Sequence, residues 1–328
     1  MNKKWKYRRK GLAAVLLCSL LLTGCNEAVP LMDSQAGRVQ SVSAAGSASD
    51  TFQAQLLSED ICVIPKKKQS KKDDFFTAGS VLLINDSANK MLYAQNIYKK
   101  MYPASITKIV TALIALEQGN LKDKVTISYD ASHITEYGAK LCGFQEGDQV
   151  TLEDLLYCLL VYSGNDAGIA IAEHISGSVS AFAKLMNQTM AELGAGHSHF
   201  VNPHGLQDTS HYTSAYDLYL VFHQLLKYDQ FRQIIAQPSY TVQYTDAQGT
   251  AKQIAVQSTD RYIIGTAQAP QGVTVMGGKT GTTVDAGSCL ILYSQDAKKK
   301  DYISVILKAE TAYSLYSQMN HLLEYITK

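Results

Sequence analysis

Three short clusters of residues could carry chemistry. Ser105-Ile106-Thr107-Lys108 sets a hydroxyl and an amine three residues apart. On a helix, positions i and i+3 share a face, so the Lys108 amine reaches the Ser105 hydroxyl. A serine hydroxyl is a poor nucleophile until a base removes its proton. A lysine is such a base when burial or neighbouring cations lower its pKa. Pro103 suits a sharp helix entry, which leaves Ser105 among free backbone N–H groups able to hold an oxyanion. The same spelling occurs at Ser87-Ala88-Asn89-Lys90. There it falls among turn residues, so Ser87 is read as part of a turn. Ser163-Gly164-Asn165 follows an apolar helical run through Leu155, Leu156, Leu159 and Leu160. A hydroxyl there relays protons and an amide binds a peptide group, although a helix-capping pair has the same spelling. Lys279-Thr280-Gly281 follows the β-prone Val273-Thr274-Val275. Glycine beside a strand admits a ligand close to the backbone, and lysine with hydroxyls suits a carboxylate. Each cluster alone is a weak signal; their order, spacing and setting are not.

The elements that must hold these residues follow from hydropathy. Ser80-Val81-Leu82-Leu83-Ile84, turn residues at 85–89 and Met91-Leu92-Tyr93-Ala94 predict a hairpin. From Ser105, apolar residues recur at Ile109, Ala112, Leu113 and Leu116, predicting a helix closed by Gly119. A mostly helical stretch is expected from Leu152 to about Phe231, broken by the turn at Asn202-Pro203-His204-Gly205. Strand-like runs return at 272–278, 288–293 and 302–309, and 315–326 reads as a closing helix. Strands therefore flank a helical insertion, at about 120–235, and the first hairpin must pair with the late strands. That is an α+β fold with an antiparallel sheet flanked by helices, not a βαβ alternation.

The three clusters together resemble a known signature, S-x-x-K with S-D-N and K-T-G, the second standing here as S-G-N. The sequence resembles the low-molecular-mass penicillin-binding proteins, the serine-type D-alanyl-D-alanine carboxypeptidases, from about Phe76 to its C-terminal end. Tyr102-Pro103-Ala104-Ser105-Ile106-Thr107-Lys108, Tyr162-Ser163-Gly164-Asn165-Asp166-Ala167, Asn202-Pro203-His204-Gly205-Leu206, Ala215-Tyr216-Asp217-Leu218 and Gly278-Lys279-Thr280-Gly281-Thr282 carry the likeness. The resemblance implies the penicillin-binding protein/β-lactamase-like fold, with a helical subdomain inserted. It implies Ser105 as acylated nucleophile, Lys108 as its base and Ser163 as proton relay. Asn165 would hold the substrate amide, Lys279 supply positive potential and Thr280 bind the terminal carboxylate. The backbone N–H groups of Ser105 and Thr282 would form the oxyanion hole. Peptidoglycan stem peptides are the implied substrates and β-lactams the covalent inhibitors, with no cofactor. Class A β-lactamases add E-x-x-L-N after the second motif. This sequence has none, so a β-lactam acyl-enzyme is expected to persist. His197, His199, His204 and His211 cluster near Asp208, but no H-E-x-x-H supplies a metal-bound base. They are read as loop residues and no metal is assigned. A non-catalytic penicillin sensor or peptidoglycan-binding lipoprotein on the same fold is the alternative reading.

The remaining signals concern location. The chain has 328 residues, 46% hydrophobic and 18% charged, so it can bury a core. Its formal charge of +1 argues against a nucleic-acid partner held by a basic face. Residues 1–24 carry six cations and no acids; without them 24 cations face 29 acids, a balance of −5. The apolar run at 11–22 spans about 18 Å as a helix, short of a bilayer core of about 30 Å. Residues 1–24 therefore read as a secretory signal. Leu22-Thr23-Gly24-Cys25 resembles a lipobox, predicting a lipid on Cys25 and an outward-facing membrane lipoprotein. Many members of the resembled family anchor instead through a C-terminal amphipathic helix; here the lipid would replace it. Residues 25–75 read as the lipidated N-terminus and a flexible tether, with a Ser/Ala/Gly-rich stretch at 41–50 and a Lys-rich run at 65–72. The catalytic domain is expected over 76–328. Of the other cysteines, Cys62, Cys142, Cys158 and Cys289 lack metal spacing, and Cys158 and Cys289 sit in apolar segments suited to buried thiols. Cys25→Ala is expected to move the protein from the membrane pellet to the soluble fraction. Retention after a salt wash would overturn the lipid assignment.

Overall fold

The computed structural model describes residues 60–328; the signal, Cys25 and most of the expected tether lie outside them. In chain order the elements are β1 (Ser80–Asn85), β2 (Lys90–Gln95), α1 (Lys108–Gln118), β3 (Lys124–Thr126), α2 (Tyr129–Ser132), β4 (Gln149–Thr151), α3 (Leu152–Tyr157) and α4 (Asn165–Ser176). They continue with α5 (Val179–Glu192), α6 (Ala215–Leu225), α7 (Asp229–Ile235), β5 (Ser239–Thr245), β6 (Ala251–Gln257), β7 (Val273–Thr283), β8 (Gly287–Asp296), β9 (Asp301–Ala309) and α8 (Ala312–Leu323).

An apolar run without alternation suits a strand covered on both faces. β1 is such a strand, buried at all six positions. Because side chains alternate between faces, Leu82 and Ile84 enter the large core shared with α1 and α6. Val81 and Leu83 face the other way, onto Leu315, Met319 and Leu322 of α8. The main sheet is antiparallel in the order β2-β1-β9-β8-β7. The two chain ends thus build one sheet, as the hydropathy pattern required, and the third cluster lies on its edge strand β7.

Two expectations need correction. The inserted region is not helical alone. It contains a second antiparallel sheet, β3-β4-β5-β6, and extends past 235 to Gln257. β3 and β4 have three residues each, too few for periodicity to register. β5 and β6 are mostly polar, with Val242 and Val256 their buried residues.

The tether also ends earlier than residue 75. Cys62 and Ile64 belong to the large core. The Cys62 amide donates to Tyr219 Oη at 2.9 Å, and Tyr216 Oη donates to the Cys62 carbonyl at 3.0 Å. Further on, Ser70 N–H donates to the Ala94 carbonyl at 2.8 Å and Ser70 Oγ accepts from the Ala94 amide at 2.9 Å. The segment straps α6 to β2. Its few apolar residues were masked in the sequence by the flanking lysines, whose own side chains stay mostly exposed.

Burying a side chain the size of isoleucine stabilises by about 1.5–3 kcal/mol. A fragment starting at Phe76 should therefore be about 3 kcal/mol less stable than one starting near residue 54. For a domain of this size that lowers Tm by about 6–12 °C. Paired thermal melts check it, and equal Tm values would show that the strap contributes nothing.

Candidate active site

Ser105 lies in a 3-10 turn, Ala104–Thr107, that leads into α1 rather than in α1 itself. At three residues per turn, positions i and i+3 eclipse. Lys108, the first residue of α1, therefore stands directly over Ser105, with Nζ 3.0 Å from Oγ. The turn is entered through Ala104 at φ +48°, a left-handed conformation costing an alanine of order 1–3 kcal/mol.

The second cluster is bent in the same way. Cys158–Tyr162 form one π-helical turn, a feature frequent at functional sites. Ser163 ends it at φ +75°, and Asn165 opens α4. This turns both side chains inward. Asn165 Oδ1 accepts from Lys108 Nζ at 2.6 Å. Ser163 Oγ accepts from Lys279 Nζ at 2.9 Å. Lys279 also donates to the Thr280 carbonyl at 2.8 Å, and Thr280 Oγ1 is 2.5 Å from Thr259 Oγ1. Three segments far apart in sequence thus meet in two hydrogen-bonded groups, one around Lys108 and one around Lys279, joined through the backbone at 163–165. Thr282 is exposed beside it on β7.

A fourth segment completes the floor. The His204 carbonyl accepts from Lys108 Nζ at 2.8 Å, and Thr111 Oγ1 donates to the Pro203 carbonyl at 2.6 Å. Asn202 folds the turn by accepting from Gly205 N–H at 2.7 Å and donating to the Leu206 carbonyl at 3.0 Å. Gly205 has φ +89°, and a Cβ on it would lie 1.9 Å from the Ala104 carbonyl oxygen. Only glycine fits. Gly281 is required for a similar reason: a Cβ there would sit 2.9 Å from Ser105 N and 3.0 Å from the Pro103 carbonyl oxygen. Strand β7 consequently runs against the backbone of the Ser105 turn.

Burial governs the two amines. Lys108 is 0% and Lys279 1% exposed. Desolvation disfavours the ammonium form of each. The pKa of Lys108 is pushed well below the ordinary lysine value by burial and then by the Lys279 charge, against the pull of Asp166. Lys279 falls to about 7 through burial and then the Lys140 charge, opposed by Asp260. Their partners Ser105, Ser163, Asn165 and Thr280 line a cleft of about 630 Å³, together with Thr282. Lys140, Thr259 and Arg261 also line it. Sequence reading missed these three because none lies in a motif and each sits in a connecting loop.

The remaining candidates resolve simply. Ser87 lies in the turn Asp86–Ala88, and its Oγ accepts from the Asp301 amide at 2.8 Å. His211 Nδ1 accepts from Val201 N–H at 3.2 Å while its Nε2 meets Thr107 Oγ1 at 2.8 Å. His204 Nδ1 accepts from Leu206 N–H at 3.2 Å. Burial lowers the pKa of His211 to about 4 and that of His204 well below the ordinary value, so both are neutral struts for their loops. Cys62, Cys142, Cys158 and Cys289 are free thiols.

A family model described as D-alanyl-D-alanine carboxypeptidase matches residues 66–311. The chain belongs to that family. It is 35% identical over 257 residues to the D-alanyl-D-alanine carboxypeptidase DacF of Bacillus subtilis, covering 76% of this chain and 61% of the relative. Against the D-alanyl-D-alanine carboxypeptidase DacD of Escherichia coli, identity is 30% over 243 residues, covering 72% and 59%. The chain spans about three fifths of the length of these curated relatives. Its fold is similar to the crystal structure of a Streptomyces DD-transpeptidase, with a TM-score of 0.71 at 25% identity, covering 78% of this chain and 98% of that one. The matched span reaches back to residue 66, in agreement with the packed strap rather than a domain start at Phe76.

The Lys279 value sets a pH expectation. Its amine is a cation below about 7 and neutral above. Capture of a ligand carboxylate should therefore weaken as pH rises through 7. Acylation by a carboxylate-bearing penicillin is expected to lose rate on that alkaline limb, and Lys279→Arg, which does not titrate there, should remove the limb. A limb that survives in folded Lys279→Arg would assign it to another group.

Proposed function

We propose that this chain is a serine D,D-carboxypeptidase that removes the terminal D-alanine from peptidoglycan stem peptides through an acyl-enzyme on Ser105. One observation carries the reading: the state and surroundings of the Lys108 amine. Asn165 Oδ1 and the His204 carbonyl can only accept, so they take two N–H bonds from Nζ. In the neutral amine the remaining position is a lone pair, and it faces Ser105 Oγ. Lys108 is thus oriented as a base, and burial, which disfavours its ammonium form, favours that role.

The chemistry follows in two halves. Lys108 takes the Ser105 proton as Oγ attacks the carbonyl of the penultimate D-alanine. The oxyanion is received by the N–H groups of Ser105 and Thr282, a placement supported by the contact of Gly281 with the Ser105 turn. Asn165, whose Oδ1 faces Lys108, presents its amide N–H₂ to the substrate amide carbonyl. Thr280, with Thr259 and the Lys279 charge behind it, receives the terminal carboxylate. Collapse of the tetrahedral intermediate breaks the peptide bond, and Ser163 passes a proton to the leaving D-alanine amine. Water then hydrolyses the ester and regenerates Ser105. A β-lactam acylates the same oxygen, which makes the protein a penicillin target. Cys25 carries the lipid that holds the domain on the outer face of the cell membrane.

Intact-mass measurement after penicillin treatment should find one adduct, on the peptide that contains Ser105. Ser105→Ala should abolish it, and Lys108→Ala should slow it by about 10³-fold or more, as deletion of one member of a catalytic unit does. Release of D-alanine from a muropeptide distinguishes an enzyme from a sensor. Penicillin labelling without any release would support the sensor.

A further inference from the structure

Of the four basic side chains at or beneath the cleft, Lys108 and Lys279 are fully engaged by oxygen atoms. Arg261 is exposed at the rim, over the Tyr316 ring. Lys140 differs from all three. It is half-buried on the helical wall of the cleft. Its Nζ lies 3.9 Å above the centre of the Tyr162 ring, and no carboxylate pairs with it among the described residues. An aromatic face replaces only part of the hydration a partly buried ammonium loses. The site is therefore short of one anion.

Its position says which anion. The Lys140 carbonyl accepts the Asn165 backbone N–H at 2.7 Å, so this lysine stands directly beside the amide assigned to the substrate peptide. The terminal carboxylate of a bound peptide goes to the opposite end, at Thr280 and Thr259. Peptide upstream of the scissile D-Ala-D-Ala unit must then leave the cleft past Asn165, between the loop that carries Tyr137, Gly138 and Lys140 and the hairpin tip at Thr283.

We propose that Lys140 forms an anion subsite that reads a carboxylate on the residue preceding D-Ala-D-Ala. The proposal rests on the carboxypeptidase reading above and adds the charge of the favoured substrate. The Lys140 charge also depresses the pKa of Lys108 and Lys279. That influence acts on every substrate alike, whereas a subsite acts only on those that bear the anion.

The test uses two peptides of nearly equal shape, acetyl-L-glutamyl-D-Ala-D-Ala and acetyl-L-glutaminyl-D-Ala-D-Ala, with released D-alanine as readout. Wild-type full-length protein should favour the acid by about tenfold in kcat/KM, the scale of one partly desolvated charge pair. In Lys140→Gln the acid-to-amide ratio should fall to about 1, in Lys140→Glu it should invert, and in Lys140→Arg it should be retained. Because both rates come from the same preparation, a loss of folded protein cancels from the ratio. No preference in the wild type, or a ratio unchanged in Lys140→Gln, would overturn the subsite while leaving the carboxypeptidase reading intact. Failure of the wild type to release D-alanine from either peptide would overturn that reading, and the subsite with it.

Discussion

The structure is organised around one buried nitrogen. Lys108 Nζ touches Ser105, Asn165 and the His204 carbonyl, which belong to three separate segments of the chain. An uncompensated ammonium at full burial would cost several kcal/mol. The fold meets that cost by disfavouring the ammonium form and by giving its N–H groups acceptors. Stability and chemistry therefore want the same thing at this atom: the neutral form that suits burial is also the base. The helical insertion supplies Asn165 and the His204 turn, while the turn into α1 supplies the serine, so neither part makes the site alone.

The second requirement is close approach. β7 lies against the Ser105 turn because Gly281 has no side chain, and the His204 turn lies against Ala104 because Gly205 has none. Backbone strain is also present at the site. Ala104 and Ser163 hold left-handed backbone conformations next to the residues they aim. Such conformations persist only where surrounding packing over-determines them, and here both are buried against the large core. A rigid sheet and a helical cluster of Leu155, Leu156 and Leu159 give the strained turns their foundation.

Much of this was legible in the sequence, for a physical reason. Motif residues are constrained locally: Ser105 and Lys108 are one turn apart, whereas Gly281, read as admitting a ligand, admits the backbone of the Ser105 turn instead. The strands of the main sheet were legible because apolar runs such as 81–84 have to be buried on both faces. The decoy at Ser87 could be set aside because its neighbours spell a turn, and its hydroxyl does serve one.

What the sequence determined by itself was the chemistry present and the segments that carry it, since residue type and short-range spacing are properties of a few consecutive residues. Only the tertiary structure decided the rest. The second sheet is assembled from strands as distant as Lys124–Thr126 and Ala251–Gln257, two of them too short to leave a pattern. The strap is held at Cys62 by residues more than 150 positions away, Tyr216 and Tyr219. Lys140, Thr259 and Arg261 reach the cleft from loops whose course nothing local dictates. The pKa values of the two lysines depend on burial and on one another. Burial and charge coupling are properties of positions in space, and a sequence fixes those only through the whole fold.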